Sequence, residues 1–190
     1  LDDLAVFESM NIQGHVKDGE VSLSDLGLDL QGLTGEVTIA KGVLEGKNLL
    51  AQLGNTTGSN GSLKLSLVQK EITPFHLDVE LNAELAQVLP VLKQLIPNKK
   101  FIEYLSLFES IEGAGQGRLT LGESLESFSA HVEIDKINTK IDFKPIPYPI
   151  TIDSGKITYD GQKVEVHDLQ GKIGKSSFSN YSDLMNWEDE

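Results

Sequence analysis

The sequence predicts a mainly β protein with a small helical insertion. The expected form is a curved antiparallel sheet of repeated hairpins, a half-barrel or groove, carrying an apolar helix pair. Three observations lead there. In the second half of the stretch from Gly35 to Leu81 the chain alternates strictly: Leu63, Leu65 and Leu67 point one way, and after a short polar turn Phe75, Leu77, Val79 and Leu81 share a face opposite His76, Asp78 and Glu80. Such alternation marks antiparallel strands that are apolar on one side and solvated on the other. Acidic-Gly pairs flanked by short apolar strands recur at Asp18-Gly19, Glu45-Gly46 and Asp160-Gly161, a degenerate internal repeat. One interruption, Asn82 to Gly113, carries its apolar residues at helical spacing instead.

Taken in order, Leu4, Phe7 and Met10 suit one helical turn or a collapsed arm. HVKDGEVSL then reads as a hairpin, because Asp-Gly supplies the positive φ angles of a type I′ turn. Glu45-Gly46, Asp160-Gly161 and Asn60-Gly61 are read as turns on the same grounds. Leu26, Leu28 and Leu30 alternate into a strand, Val37 and Ile39 continue one face, and Leu49, Ala51 and Leu53 form another. Asn82 is an N-cap candidate for a helix with Leu85, Val88, Leu89, Leu92, Leu95 and Ile96 on one stripe. Pro90 kinks or restarts that helix and Pro97 ends it. A second stripe, Phe101, Tyr104, Leu105, Phe108 and Ile111, closes at Gly113 and Gly115.

Strands resume with Leu119 and Leu121, then with Phe128, Ala130, Val132 and Ile134 alternating against Ser129, His131 and Glu133, and continue through Ile137, Ile141 and Phe143. In KPIPYPI the prolines 145, 147 and 149 remove three N–H groups from one edge, so an edge strand or a seam is expected there. Ile150, Ile152, Ile157, Tyr159, Val164 and Val166 rebuild the pattern. The 190 residues therefore read as one repeat-built domain: a first β section (1–81), a helical insertion (82–113), a second β section (114–178) and a polar tail (179–190). The chain opens mid-pattern at Leu1 and is expected to be a piece of a longer protein.

Composition narrows the function. The formal charge is −13 and no basic run occurs, which disfavours nucleic acid and anionic membrane surfaces. With no cysteine, neither disulfides nor thiolate metal sites are possible. GSNGS (58–62) lacks the order of a nucleophile elbow, and Gly42 to Asn48 fails as a phosphate loop. EGAGQGRLTL leads into a strand, whereas a dinucleotide fingerprint leads into a helix. His15, His76, His131 and His167 are scattered. The expectation is a non-enzyme with no catalytic residue, no metal and no cofactor.

About ten strands, each apolar on one side, leave a long greasy face, and two helices could cover roughly half of it. The remainder must close as a sandwich core, meet another copy, or hold an apolar ligand. In the last case the groove would be lined by Val37, Ile39, Leu63, Leu65, Leu67, Phe75, Leu77, Val79 and Leu81, with Leu85, Leu89 and Leu92 as its floor or lid.

Ala51-Gln52-Leu53-Gly54 and Gly61-Ser62-Leu63-Lys64-Leu65-Ser66-Leu67, echoed by Gly117-Arg118-Leu119-Thr120-Leu121-Gly122, give a rhythm of apolar strand, Gly-marked turn and Gly-led strand. From about Gly14 to Ser177 this succession resembles the AsmA-like family, related to TamB and YhdP. The resemblance implies a repeating β-groove in a periplasmic region of a parent anchored in the inner membrane. It also implies phospholipid or another acyl chain as ligand, neighbouring repeats as partners, and a part in lipid passage between membranes or outer-membrane maintenance. Two alternatives stand beside it: a β-rich structural spacer or interaction module without ligand, and a self-contained lipid-binding domain.

Overall fold

A computed structural model describes residues 9–23, 28–68, 72–87, 90, 93, 99–124 and 128–186. Ten strands succeed one another in a single antiparallel sheet whose spatial order is the order of the chain. They are β1 (Asn11–Leu23), β2 (Leu28–Ala40), β3 (Val43–Leu53), β4 (Thr56–Ser66), β5 (Pro74–Glu84), β6 (Phe108–Ser124), β7 (Phe128–Phe143), β8 (Ile150–Tyr159), β9 (Lys163–Ile173) and β10 (Ser176–Asn186). Among the described residues β1 pairs only with β2 and β10 only with β9, so the curved sheet does not close into a barrel. The expected fold class is the one observed.

Several local expectations are corrected. Asp18, Asn48, Asn60, Asp168 and Asn180, with φ of 51–56°, lie inside strands and not at hairpin tips. Register shifts fall around them, so they are bulges. A bulge and a type I′ turn demand the same left-handed backbone, so Asp-Gly or Asn-Gly marks either one. Asp18-Gly19 and Asn60-Gly61 are thus bulges, Glu45-Gly46 is mid-strand, and of the four expected turns only Asp160-Gly161 is one. There the Asp160 carboxylate accepts the amides of Gln162 and Lys163 at 3.2 and 3.1 Å. A tight turn that sequence reading passed over is Lys41-Gly42, with φ of 52° and 72°.

The helical insertion is narrower than 82–113. Asn82 belongs to β5 and pairs with Thr57 and Gln116, so ladder bonds on both sides replace the expected N-cap. Residues 85–87, 90 and 93 are helical, and helix α1 spans Lys99–Leu105. Phe108, Ile111 and Gly113 already belong to β6. Val88, Leu89, Leu92, Leu95, Ile96 and Pro97 lie outside the described residues, as does the arm at Leu4 and Phe7.

KPIPYPI is not an edge strand. Its first six residues form the β7–β8 connection, with the Ile146 amide on the Phe143 carbonyl at 2.8 Å, and Ile150 opens an interior strand paired to Ile141 and Ile173. The prolines end a ladder instead of lining one. The expected tail is likewise a strand up to Asn186, paired with β9.

The internal repeat is larger than the acidic-Gly pairs suggest. Every paired couple of β2, β3 and β4 that has a counterpart recurs 120 residues later: Val37↔Gly46 as Ile157↔Val166, Leu49↔Gly61 as Leu169↔Tyr181, Leu53↔Thr56 as Ile173↔Ser176. Bulge residues correspond too, Asn48 with Asp168 and Asn60 with Asn180. At β1 and β7 the offset holds for Ile12↔Ile39 against Val132↔Tyr159 and for Val21↔Leu30 against Ile141↔Ile150. Strands β1–β4 and β7–β10 are therefore two copies of one four-strand block, with β5, the helical segment and β6 between them.

Candidate functional site

The register builds one continuous apolar face. Ile12, Ile39, Leu44, Leu65 and Phe75 stand opposite one another across β1 to β5. Gly14, Val37, Gly46, Leu63, Leu77, Leu121 and Ala130 form a second row across β1 to β7. Val79, Leu119, Val132, Tyr159, Val164 and Met185 carry a third row to β10. At about 4.8 Å per strand the face runs for roughly 43 Å.

Its two halves differ in cover. On the C-terminal side Leu121, Ile137, Ile152, Val166 and Leu169 are buried, and Leu85 of the helical segment joins the last four in one cluster. Phe101 of α1 stacks on Tyr159 with ring centroids 5.8 Å apart. Tyr104 contacts Phe108 and Phe143 at 5.7 and 6.0 Å. Burial, and then the nearby Asp160 and Asp183 charges, raise the phenol pKa values of Tyr159 and Tyr104 above the ordinary tyrosine range. The start of the helical segment is pinned to the β3–β4 turn: Thr56 Oγ1 donates to Gln87 Oε1 at 3.2 Å and accepts the Glu84 amide at 3.1 Å.

On the N-terminal side Val37, Ile39, Leu63, Leu65, Leu67, Phe75, Leu77, Val79 and Leu81 are all half-buried and none is fully covered. The structure brings these nine expected groove residues together; Leu67 sits just past β4, its amide on the Gly42 carbonyl. Leu85 is placed differently, at 6% exposure within the core cluster. Leu89 and Leu92 lie outside the described residues. Among the described residues Leu49 is the one large apolar side chain buried in this half, because glycines make room for it. A Cβ on Gly35, Gly46 or Gly61 would stand 2.7, 2.8 or 3.0 Å from Leu49. Sequence reading missed these seats, although the spacing of Gly35, Gly46, Leu49 and Gly61 recurs in part at Gly155 and Leu169.

The opposite face is charged. Arg118 grips both oxygens of Asp78, with Nη2 to Oδ1 at 2.6 Å, and Thr120 donates to the same carboxylate at 3.1 Å. The hydrogen bond from Arg118 is the main reason that the Asp78 pKa lies below the ordinary carboxylate range. Lys156 pairs with Glu133 at 2.8 Å, and Lys163 and His167 both reach Glu165. His15, His76, His131 and His167 are exposed on four different strands. Among the described residues no group of His, Asp or Glu could hold a metal ion, and no helix is long and apolar enough to cross a membrane.

The whole chain exposes 12085 Å², against ~9,000 Å² for a compact chain of its 20.8 kDa. No family model, no curated protein and no solved structure matches the chain.

Proposed function

We propose that this chain is a groove module that carries acyl chains of phospholipid along its apolar face. It would belong to an AsmA-like parent anchored in the inner membrane and act in the periplasm, in lipid passage and outer-membrane maintenance. The observation that supports this reading is the half-buried face of β2 to β5. Two apolar rows are held in register there, and among the described residues the charged groups lie on the other side. Each methylene moved from water onto such a face contributes about 0.8 kcal/mol when fully buried, so roughly ten half-buried methylenes would contribute ~4 kcal/mol without any polar anchor. A surface of this kind holds a chain weakly and at no single position, as a conduit requires and a storage pocket does not. Neighbouring repeats are the proposed protein partners.

The test is native mass spectrometry of the chain purified from a bacterial periplasm, with lipid extraction alongside. Co-purifying phospholipid in sub-stoichiometric to few-fold amounts is expected. A clean apo mass, together with no uptake from phospholipid vesicles, would favour the alternative of a β-rich spacer without ligand.

A further inference from the structure

We infer that the cleft beneath the β7–β8 connection is a binding site for a compact organic ammonium ion, either a free amine or the ammonium headgroup of a lipid. The inference does not depend on an acyl chain on the half-buried face of β2 to β5, so the two readings fail separately. The cleft holds about 250 Å³ and is lined by Glu109, Asp142 and residues 143–144 and 146–149. Its walls therefore carry two carboxylates, Glu109 and Asp142, and two rings, Phe143 and Tyr148.

Each wall has a local cause. The Gly174 amide on the Pro149 carbonyl at 3.1 Å ties the connection to the β9–β10 turn, and Tyr148 lies against Gly174, where a Cβ would stand 3.4 Å from its Cβ and Cγ. Phe143 packs on Phe108 with ring centroids 4.9 Å apart. Phe108 pairs with Phe143 and Ser110 with Asp142, so Glu109 is the inserted residue of a bulge, a device that re-aims a side chain beside a site. Among the described residues neither carboxylate is in an ion pair. Asp142 accepts the Ser110 hydroxyl at 2.7 Å, and Lys144, the one cation on the wall, gives its ammonium to the Ser106 carbonyl at 3.0 Å. An anion would meet two like charges here, and an uncharged ligand would strip water from both carboxylates with no return. A metal ion would find two carboxylates and no third side-chain ligand among the described residues. An organic ammonium ion pairs with the carboxylates and lays its remaining surface on an aromatic face.

The 120-residue correspondence separates what the fold needs from what is added. The positions equivalent to Asp142, Phe143, Lys144 and Tyr148 are Ser22, Leu23, Ser24 and Leu28, and the first block has no ring and no proline from 22 to 30. The flanking strands nevertheless pair alike, Val21↔Leu30 against Ile141↔Ile150. Pairing of these strands therefore requires neither the rings nor the prolines. They are particular to the second block, where they stand beside two carboxylates in one cleft.

The probes are choline and ethanolamine, titrated into the intact chain and followed by amide NMR, with the uncharged carbon isostere of choline as control. Saturable shifts at Glu109, Asp142, Phe143 and Tyr148 are expected with both cations and not with the isostere. Tyr148→Leu should weaken choline binding about two- to fivefold, the factor for an exposed cation–π contact, and Tyr148→Phe should keep it. Glu109→Gln combined with Asp142→Asn should weaken it between about twofold and thirtyfold and flatten its dependence on salt, while Asn still accepts the Ser110 hydroxyl. Displacement of choline by vesicles of mixed phosphatidylethanolamine and phosphatidylglycerol, but not of phosphatidylglycerol alone, would assign the ligand to a lipid headgroup. Displacement by neither, with free ethanolamine bound, would assign it to a soluble amine. No saturable shift with either cation, equal binding of the isostere, undiminished binding by the double variant, or shifts spread over the acidic surface instead of the cleft would each overturn the inference.

Discussion

Leu77→Glu and Leu121→Glu form a matched pair that separates an open face from a closed core. The two leucines stand directly opposite each other on β5 and β6, with the same cross-strand chemistry. Leu121 is 6% exposed, whereas Leu77 is half-buried. A carboxylate at 121 would be taken from water with no partner, costing several kcal/mol against a total stability of about 5–15 kcal/mol. That variant should unfold or fail to express. At 77 the carboxylate keeps part of its hydration, and the loss is roughly half of a leucine's transfer energy, about 0.8–1.5 kcal/mol. For a chain of this size the melting temperature should fall by about 2–6 °C. An acyl chain crossing position 77 would have to desolvate the new charge, so extracted lipid should drop sharply. The assays are a thermal melt by circular dichroism and lipid extraction on the same preparations. Unfolding of Leu77→Glu would show that β5 faces a sealed core. A folded Leu77→Glu chain with undiminished lipid would refute the groove at this site.

Leu49→Ala and Leu169→Ala should each cost about 2–4 kcal/mol in chemical denaturation, because both side chains fill equivalent seats over glycine; a cost below 1 kcal/mol at either would break the equivalence. The hydrogen bonds from Arg118, Lys156 and Lys163 hold the pKa values of Asp78, Glu133 and Glu165 below their unfolded values. Their stabilisation is therefore present above the ordinary carboxylate range and lost as pH falls below about 4. Melts from pH 7 to 3 should show a decline confined to the acid end, and a flat profile would contradict it. Hydrogen exchange should be slower at Lys144 and Ile146, whose amides are bonded at 2.9 and 2.8 Å, than at the 61% exposed Tyr148.

The fold class was legible because alternation survives in long pieces. Phe75 to Leu81 and Leu63 to Leu67 each read as one face, and the structure puts them on the same one. The sealed half was less legible. Nothing in the spacing of Phe101 and Tyr104 says that they pack against Tyr159 and Phe143, since those partners are decided by tertiary approach across some forty to sixty residues. Asn82 shows the same limit: its side chain suits an N-cap, and a two-sided ladder overrides it.

The bulges explain why the repeat escaped a period-2 reading. In β3 the apolar face is carried by Leu44 and Gly46, then by Leu49, Ala51 and Leu53, a step of three at the left-handed Asn48. β4 steps from Gly58 to Gly61, β9 from Val166 to Leu169 and β10 from Phe178 to Tyr181. One inserted residue swaps the faces of everything beyond it, so strict alternation assigns Leu49 and Leu53 to a different face from Val37 and Ile39. In the sheet the neighbouring strand carries its own insertion at the paired place, and the error cancels. The bulges therefore occur as a line across adjacent strands, present in β1–β4 and again in β8–β10. A line of bulges bends every strand at one level and increases the local twist, which curves the sheet while keeping its apolar side unbroken. The Asp-Gly and Asn-Gly pairs that look like hairpin tips are, in these strands, what curves the sheet and keeps one greasy surface continuous from β1 to β10.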